Sequence, residues 1–155
     1  AENVMIVDLI RNDLGRVCIP GSIEVPELFT IEKYPTVFQM VSTVRGRLRP
    51  DLNAVDVLKA CFPGGSVTGA PKIRAMEVID ELEPTQRSVY CGAIGYIGFN
   101  GSMLTAIPIR ILLVKGKKVY FQVGGGIVAD SDLQAEYEET LDKAQGSFRA
   151  LGIYE

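Results

Sequence analysis

The chain has 155 residues, 47% of them hydrophobic and 23% charged, enough to bury a core, so it reads as one ordinary domain or part of a larger one. Its net charge of −3 leaves no basic surplus for nucleic acid, and no apolar run nears the roughly 18 residues of a membrane-spanning helix. It contains no histidine, which excludes Ser-His-Asp triads, Cys-His dyads and His-ligated zinc.

The first residues, AENVMIVD, show no basic leader and no small-residue cleavage site, so no signal peptide is expected. The chain enters the apolar run Val4-Met5-Ile6-Val7 at once, as a piece of a longer protein would. Residues 3–9 (NVMIVDL) form a short β-branched run that predicts a buried strand. Arg11 to Arg16 is polar and turns at Gly15, and Asp8, Arg11, Asn12 and Asp13 read as an ion-pair and cap network. Residues 22–49 alternate loosely and are cut by Pro26 and Pro35 into short strands, of which VFQMVSTVRG is the clearest.

Asp51-Leu52-Asn53 offers a helix cap for AVDVLKACF, which Pro63-Gly64-Gly65 stops. The loop PGGSVTGAP (63–71) follows. Its Gly64 and Gly69 have P-loop spacing, but Lys72 comes three residues after Gly69 and no Ser or Thr follows it, so the nucleotide-binding reading fails. The loop could instead cradle a carboxylate through backbone N–H groups and the hydroxyls of Ser66 and Thr68, or be a plain helix entry. Lys72 to Leu82 is an amphipathic helix with Ile73, Met76 and Ile79 as its stripe and Ala75 and Val78 alongside.

Residues 88–128 are strand-rich, with turns at Asn100-Gly101-Ser102 and Lys115 to Lys118, and predict two hairpins. Arg110 falls inside the apolar strand AIPIRILLV, where a guanidinium needs a buried partner or an anionic ligand, unless it faces solvent at an edge. Tyr90 is likewise read as strand-borne. Gly124-Gly125-Gly126 ends a strand before a helix and could either approach an anion or form a bulge. Asp130-Ser131-Asp132 is a cap cluster for a long helix over 133–151. On it Glu136, Glu139 and Lys143 share one face, suited to a hard cation or to a solvated ion pair. The three cysteines, Cys18, Cys61 and Cys91, are far apart without a CxxC, which fits a reducing cytoplasm. Oxygen is then the donor for any metal, favouring Mg²⁺, Mn²⁺ or Ca²⁺. The order of elements is α+β rather than a regular βαβ alternation.

Four stretches, AENVMIVDLIRNDLGR (1–16), PGGSVTGAPKIRAMEVIDELEP (63–84), VYCGAIGYIGFNG (89–101) and GGGIVADSDLQAEYEETLDKA (124–144), resemble the chorismate-utilising enzymes. That family includes anthranilate, aminodeoxychorismate, isochorismate and salicylate synthases. The resemblance implies an anthranilate synthase-like fold of packed antiparallel sheets with helices outside, here the C-terminal portion of the catalytic domain over 1–155. It implies Mg²⁺ held by Glu2, Glu136 and Glu139, with one further family glutamate upstream. It implies Tyr90 and Arg110 on the enolpyruvyl carboxylate of chorismate, and Gly124 and Gly125 as backbone donors to a substrate carboxylate. Ser66 and Lys143 match catalytic positions, one facing the ring and one near the metal.

Asn3 and Gln39, where many members carry histidine, look more like the aminodeoxychorismate branch, which aminates C4 of chorismate toward p-aminobenzoate and folate. Leu104 departs from a usual aspartate. Anthranilate synthase and a non-catalytic ligand-binding domain of the same descent are the alternatives. The family's covalent ring adduct belongs to an upstream lysine in a PIKGT motif that this sequence lacks, so the 155 residues alone are expected to be silent. Ammonia would come from a glutamine amidotransferase subunit or fused domain.

Overall fold

The computed structural model describes residues 2–35 and 37–153, with the side chain of Glu2 outside the described set. The chain folds as two compact units. One comprises Ala1–Pro84 with Gly95–Thr105, and the other Thr85–Ile94 with Ala106–Glu155.

The first unit opens with helix α1 (Glu2–Gly15), where a strand over 3–9 is expected from the sequence. Val7 and Asp13 are buried and Ile6, Leu9 and Leu14 half-buried. Those positions recur at helical, not alternating, spacing, and the pattern becomes visible only when the polar residues 11–13 are counted as part of the element. Strands β1 (Glu24–Lys33) and β2 (Phe38–Arg45) pair antiparallel, with Lys33 opposite Phe38 and Ile31 opposite Met40. The register slips between Glu24 and Thr30, the stretch that contains Pro26. A proline cannot donate to the ladder, so irregularity there is expected.

Helix α2 (Ala54–Cys61) begins as the sequence predicts. Asn53 accepts from Val55 N–H, and the side chain of Asp56 accepts from Asn53 N–H, closing a capping box. The short helix α3 (Gly65–Thr68) occupies the loop, and α4 (Lys72–Leu82) follows. A small core of Val17, Cys18 and Ala60, flanked by Leu14, Ile23, Leu48, Leu52 and Val57, holds the end of α1 against α2. Backbone bonds from Arg49 to Val17 (3.1 Å) and from Ile19 to Arg47 (2.8 Å) close its edge.

The face that α4 turns inward keeps only part of the expected stripe. Ala75, Val78 and Ile79 are half-buried, whereas Ile73 is 75% exposed and Met76 is also exposed. Lys72 sets this orientation: its Nζ donates to Asp13 Oδ2 at 2.6 Å. A side chain one residue further along a helix points about 100° away, so anchoring Lys72 on Asp13 turns Ile73 outward. Strands β3 (Ile94–Ile97) and β4 (Met103–Ala106) form a hairpin turned at Asn100-Gly101-Ser102, as expected.

The second unit carries strands β5 (Leu113–Lys115) and β6 (Lys118–Tyr120), an antiparallel hairpin turned at Gly116, where φ is +63°. Helix α5 (Leu133–Ala150) starts at Asp132, whose carboxylate accepts from Ala135 N–H at 2.9 Å. Its buried side is Ala144 and Ser147, and Phe148 meets Phe121 edge-on at 5.4 Å. The α+β class and both hairpins stand as read from sequence. The strands are shorter than expected: 88–92, 107–112 and 121–128 all lie outside strands. Among the described residues, no helix is long and apolar enough to cross a membrane.

Candidate functional site

Six of the nine site residues expected from the sequence and its resemblance, Tyr90, Gly124, Gly125, Glu136, Glu139 and Lys143, meet in the second unit. The center is the extended segment at Gly124-Gly125, which runs beside α5. A Cβ added to Gly125 would lie 3.1 Å from Glu136 Oε2 and 3.8 Å from Lys143 Nζ, and one added to Gly124 would lie 3.1 Å from the Tyr90 hydroxyl. The missing side chains are what let a phenol, a carboxylate and an ammonium close on the same few backbone atoms. Gly124-Gly125 does not end a strand, as the sequence suggests. It is irregular backbone whose N–H groups are not spent in a ladder, and among the described residues no acceptor takes the Gly125 N–H. That donor is free for an anion.

Helix α5 supplies the charges. Glu136, Glu139 and Lys143 lie along one face, as their spacing requires. Lys143 Nζ is ion-paired with Glu139 and also donates to the Gly124 carbonyl at 3.4 Å. Glu136 is half-buried, and its Oε1 accepts from the Ser131 hydroxyl at 2.6 Å. Two carboxylates and one ammonium leave a net negative charge beside an open N–H donor. Such a site suits an anion bridged by a hard cation. Glu136 and Glu139 are oxygen donors of the kind Mg²⁺ takes, and Mg²⁺ commonly uses one or two protein carboxylates and keeps several waters. Among the described residues, no group of three or more His, Cys, Asp or Glu side chains gathers for a metal. The third expected ligand, the Glu2 side chain, lies outside the described residues.

Tyr90 and Arg110 are not strand-borne. Tyr90 sits half-buried in a turn, and Arg110 is exposed between β4 and β5, so of the alternatives open from sequence a buried partner is not required. Their segments are nonetheless tied together. Cys91 N–H donates to the Pro108 carbonyl at 2.9 Å, and both Cys91 (φ 62°) and Arg110 (φ 54°) adopt left-handed backbone. Non-glycine residues held there cost on the order of 1 kcal/mol or more, a strain that collects at ligand clamps. Pro108 has no N–H to continue a ladder, which is why the predicted strand breaks around Arg110.

Ser66, in α3 of the first unit, is exposed. The Thr68 hydroxyl beside it donates to the Gly64 carbonyl at 3.0 Å, so it is committed to its own helix rather than to a ligand. Asn3 donates through Nδ2 to the Met40 sulfur at 3.0 Å, one residue from Gln39. The residue that sequence reasoning missed is Ser131. It reads as part of a cap cluster, yet Asp132 alone makes the cap, and Ser131 faces Glu136 instead.

The sequence profile of a family described as chorismate binding enzyme matches residues 1–149. Aminodeoxychorismate synthase component 1 of Salmonella typhimurium is 59% identical over 143 residues, 92% of this chain and 32% of that one. Anthranilate synthase component 1 of Synechocystis sp. is 56% identical over 156 residues, 97% of this chain and 31% of that one. Among solved structures, anthranilate synthase component I from Streptococcus pneumoniae TIGR4 superposes with a TM-score of 0.87 at 49% identity, covering 93% of this chain and 33% of that chain. The chain spans about a third of the length of the curated relatives it matches.

Proposed function

Because the chain belongs to the chorismate binding enzyme family, we propose that its protein is an aminodeoxychorismate synthase component 1, which aminates C4 of chorismate on the way to p-aminobenzoate and folate. These 155 residues are then the C-terminal portion of its catalytic domain. The ammonia comes from a glutamine amidotransferase subunit or fused domain, and the work is done in the cytoplasm, where three free cysteines persist. The branch assignment is supported by the relatives and by Asn3 and Gln39.

The observation that carries the site is the convergence of Glu136, Lys143 and the Tyr90 hydroxyl on Gly124-Gly125. Chorismate brings two carboxylates. The Gly125 N–H and the Lys143 ammonium receive one of them, and Glu139 holds that ammonium in place. Arg110, exposed on left-handed backbone, would grip the enolpyruvyl carboxylate with two parallel N–H donors, and Tyr90 would add a phenol. Pinning the substrate at both ends orients the ring for attack and is itself a large part of the rate. Glu136 and Glu139 would hold Mg²⁺, which would supply Lewis acidity at the ring carboxylate.

Anthranilate synthase is the second reading, favoured by the 56% identical relative and by the 0.87 TM-score neighbour. Full-length protein given chorismate, Mg²⁺ and ammonium decides between them. The expected product is an aminated chorismate that retains its enolpyruvyl group, with no pyruvate released. Anthranilate with stoichiometric pyruvate would overturn the branch assignment.

A further inference from the structure

We propose that Ser131 is a positioning residue that fixes the Glu136 carboxylate for its ligand; the proposal rests on the reading of Glu136 as a metal-binding carboxylate. Three observations lead to it. First, Asp132 is the N-cap of α5 and bonds Ala135 N–H, so Ser131 lies one position before the cap and Glu136 is the fourth residue of the helix. Side chains at these two positions face each other across the first turn and are usually an apolar pair that packs as a staple. Here the pair is a hydroxyl and a carboxylate joined at 2.6 Å.

Second, the direction of that bond is fixed. Val128 N–H donates to Ser131 Oγ at 3.1 Å, which occupies a lone pair of the hydroxyl. A serine has a single O–H to give, and it goes to Glu136 Oε1. Third, this bond holds one carboxylate oxygen toward the loop and turns the other, Oε2, to Gly125, 3.1 Å from where a Cβ would stand. Ser131 therefore selects one rotamer of Glu136 out of those open to a first-turn glutamate, and leaves a single oxygen facing the glycine segment. Partners of metal-ligating carboxylates that act in this way commonly shift metal affinity by tenfold or more when removed.

The test uses the full-length protein with Mn²⁺ as a paramagnetic stand-in for Mg²⁺. Free Mn²⁺ is counted by electron paramagnetic resonance, so binding is read without turnover. Ser131→Ala is expected to raise the half-saturating Mn²⁺ concentration by roughly tenfold while the thermal midpoint stays near that of the parent. Ser131→Thr, which keeps the hydroxyl, is expected to bind as the parent does. Unchanged Mn²⁺ binding in Ser131→Ala, or weakened binding in Ser131→Ala that Thr does not restore, overturns the proposal. Glu136→Gln separates this failure from that of the underlying reading. If Glu136→Gln weakens binding and Ser131→Ala does not, positioning alone is wrong; if neither weakens it, the metal assignment is wrong as well.

Discussion

The ion pair between Asp13 and Lys72 gives the sharpest stability test. Nζ and Oδ2 are 2.6 Å apart, and the side chains are 8% and 16% exposed for Asp13 and Lys72 respectively. At that separation, with an effective dielectric constant of about 20, the attraction is roughly 6 kcal/mol. Desolvating the two ions costs several kcal/mol each, so the pair is close to neutral against apolar replacements. Both charges also sit at the wrong helix end. Asp13 lies in the last turn of α1 and Lys72 in the first turn of α4, and each is opposed by its helix dipole by about 0.3–1 kcal/mol.

Three consequences follow for urea unfolding monitored by far-ultraviolet circular dichroism. Lys72→Met and Asp13→Leu each strand a buried charge and should cost roughly 3–5 kcal/mol. The double variant strands none and removes both dipole mismatches, so it should fall within about 1 kcal/mol of the parent. Singles that cost less than about 1 kcal/mol would mean that the pair is effectively solvated. A double variant that costs the sum of the singles would mean that the two sites do not couple, and the burial argument would be refuted.

A Cβ on Gly95 would lie 2.0 Å from the Leu104 carbonyl oxygen, a backbone atom that cannot swing aside, whereas one on Gly146 would meet nothing within 4 Å among the described residues outside the backbone of α5. Gly95→Ala should lower the thermal midpoint by an amount equivalent to about 3 kcal/mol, and Gly146→Ala should raise it by up to about 1 kcal/mol; equal effects would contradict the packing around β3 and β4. Burial pushes the Cys61 thiol above its ordinary range, the Asp13 carboxylate adds to this and the Lys72 ammonium opposes it. Alkylation of Cys61, followed by peptide mass spectrometry, should therefore accelerate only at a pH above that of a free thiol. It should move to lower pH in Asp13→Leu and to higher pH in Lys72→Met; the opposite order would refute the assignment.

Much of this was legible in the residues because local chemistry decided it. The capping box at Asn53 and the cap at Asp132 stand where a short polar residue precedes a periodic run. The face shared by Glu136, Glu139 and Lys143 is fixed by helical spacing alone. Where tertiary contacts decide, the sequence misleads. Val4, Ile6 and Val7 favour a strand locally, but α1 is selected by burial of Val7 and Asp13 and by the partner that Lys72 offers Asp13. Tyr90 and Arg110 sit amid apolar β-branched residues, yet the left-handed backbone at Cys91 and Arg110 turns both segments out of any ladder. Ser131 is not legible because its contact lies five residues ahead, across a helix start, where the capping box reads only three ahead and the staple reads only apolar pairs.

On the proposed function, the acidic face of α5 holds a metal beside the glycine segment, and the decisive measurement is turnover of chorismate across a Mg²⁺ series in full-length Glu136→Gln and Glu139→Gln proteins whose circular dichroism matches the parent. Loss of Mg²⁺-dependent turnover in both, with the fold retained, is the predicted result. Parental turnover and an unchanged Mg²⁺ requirement in either variant would contradict it.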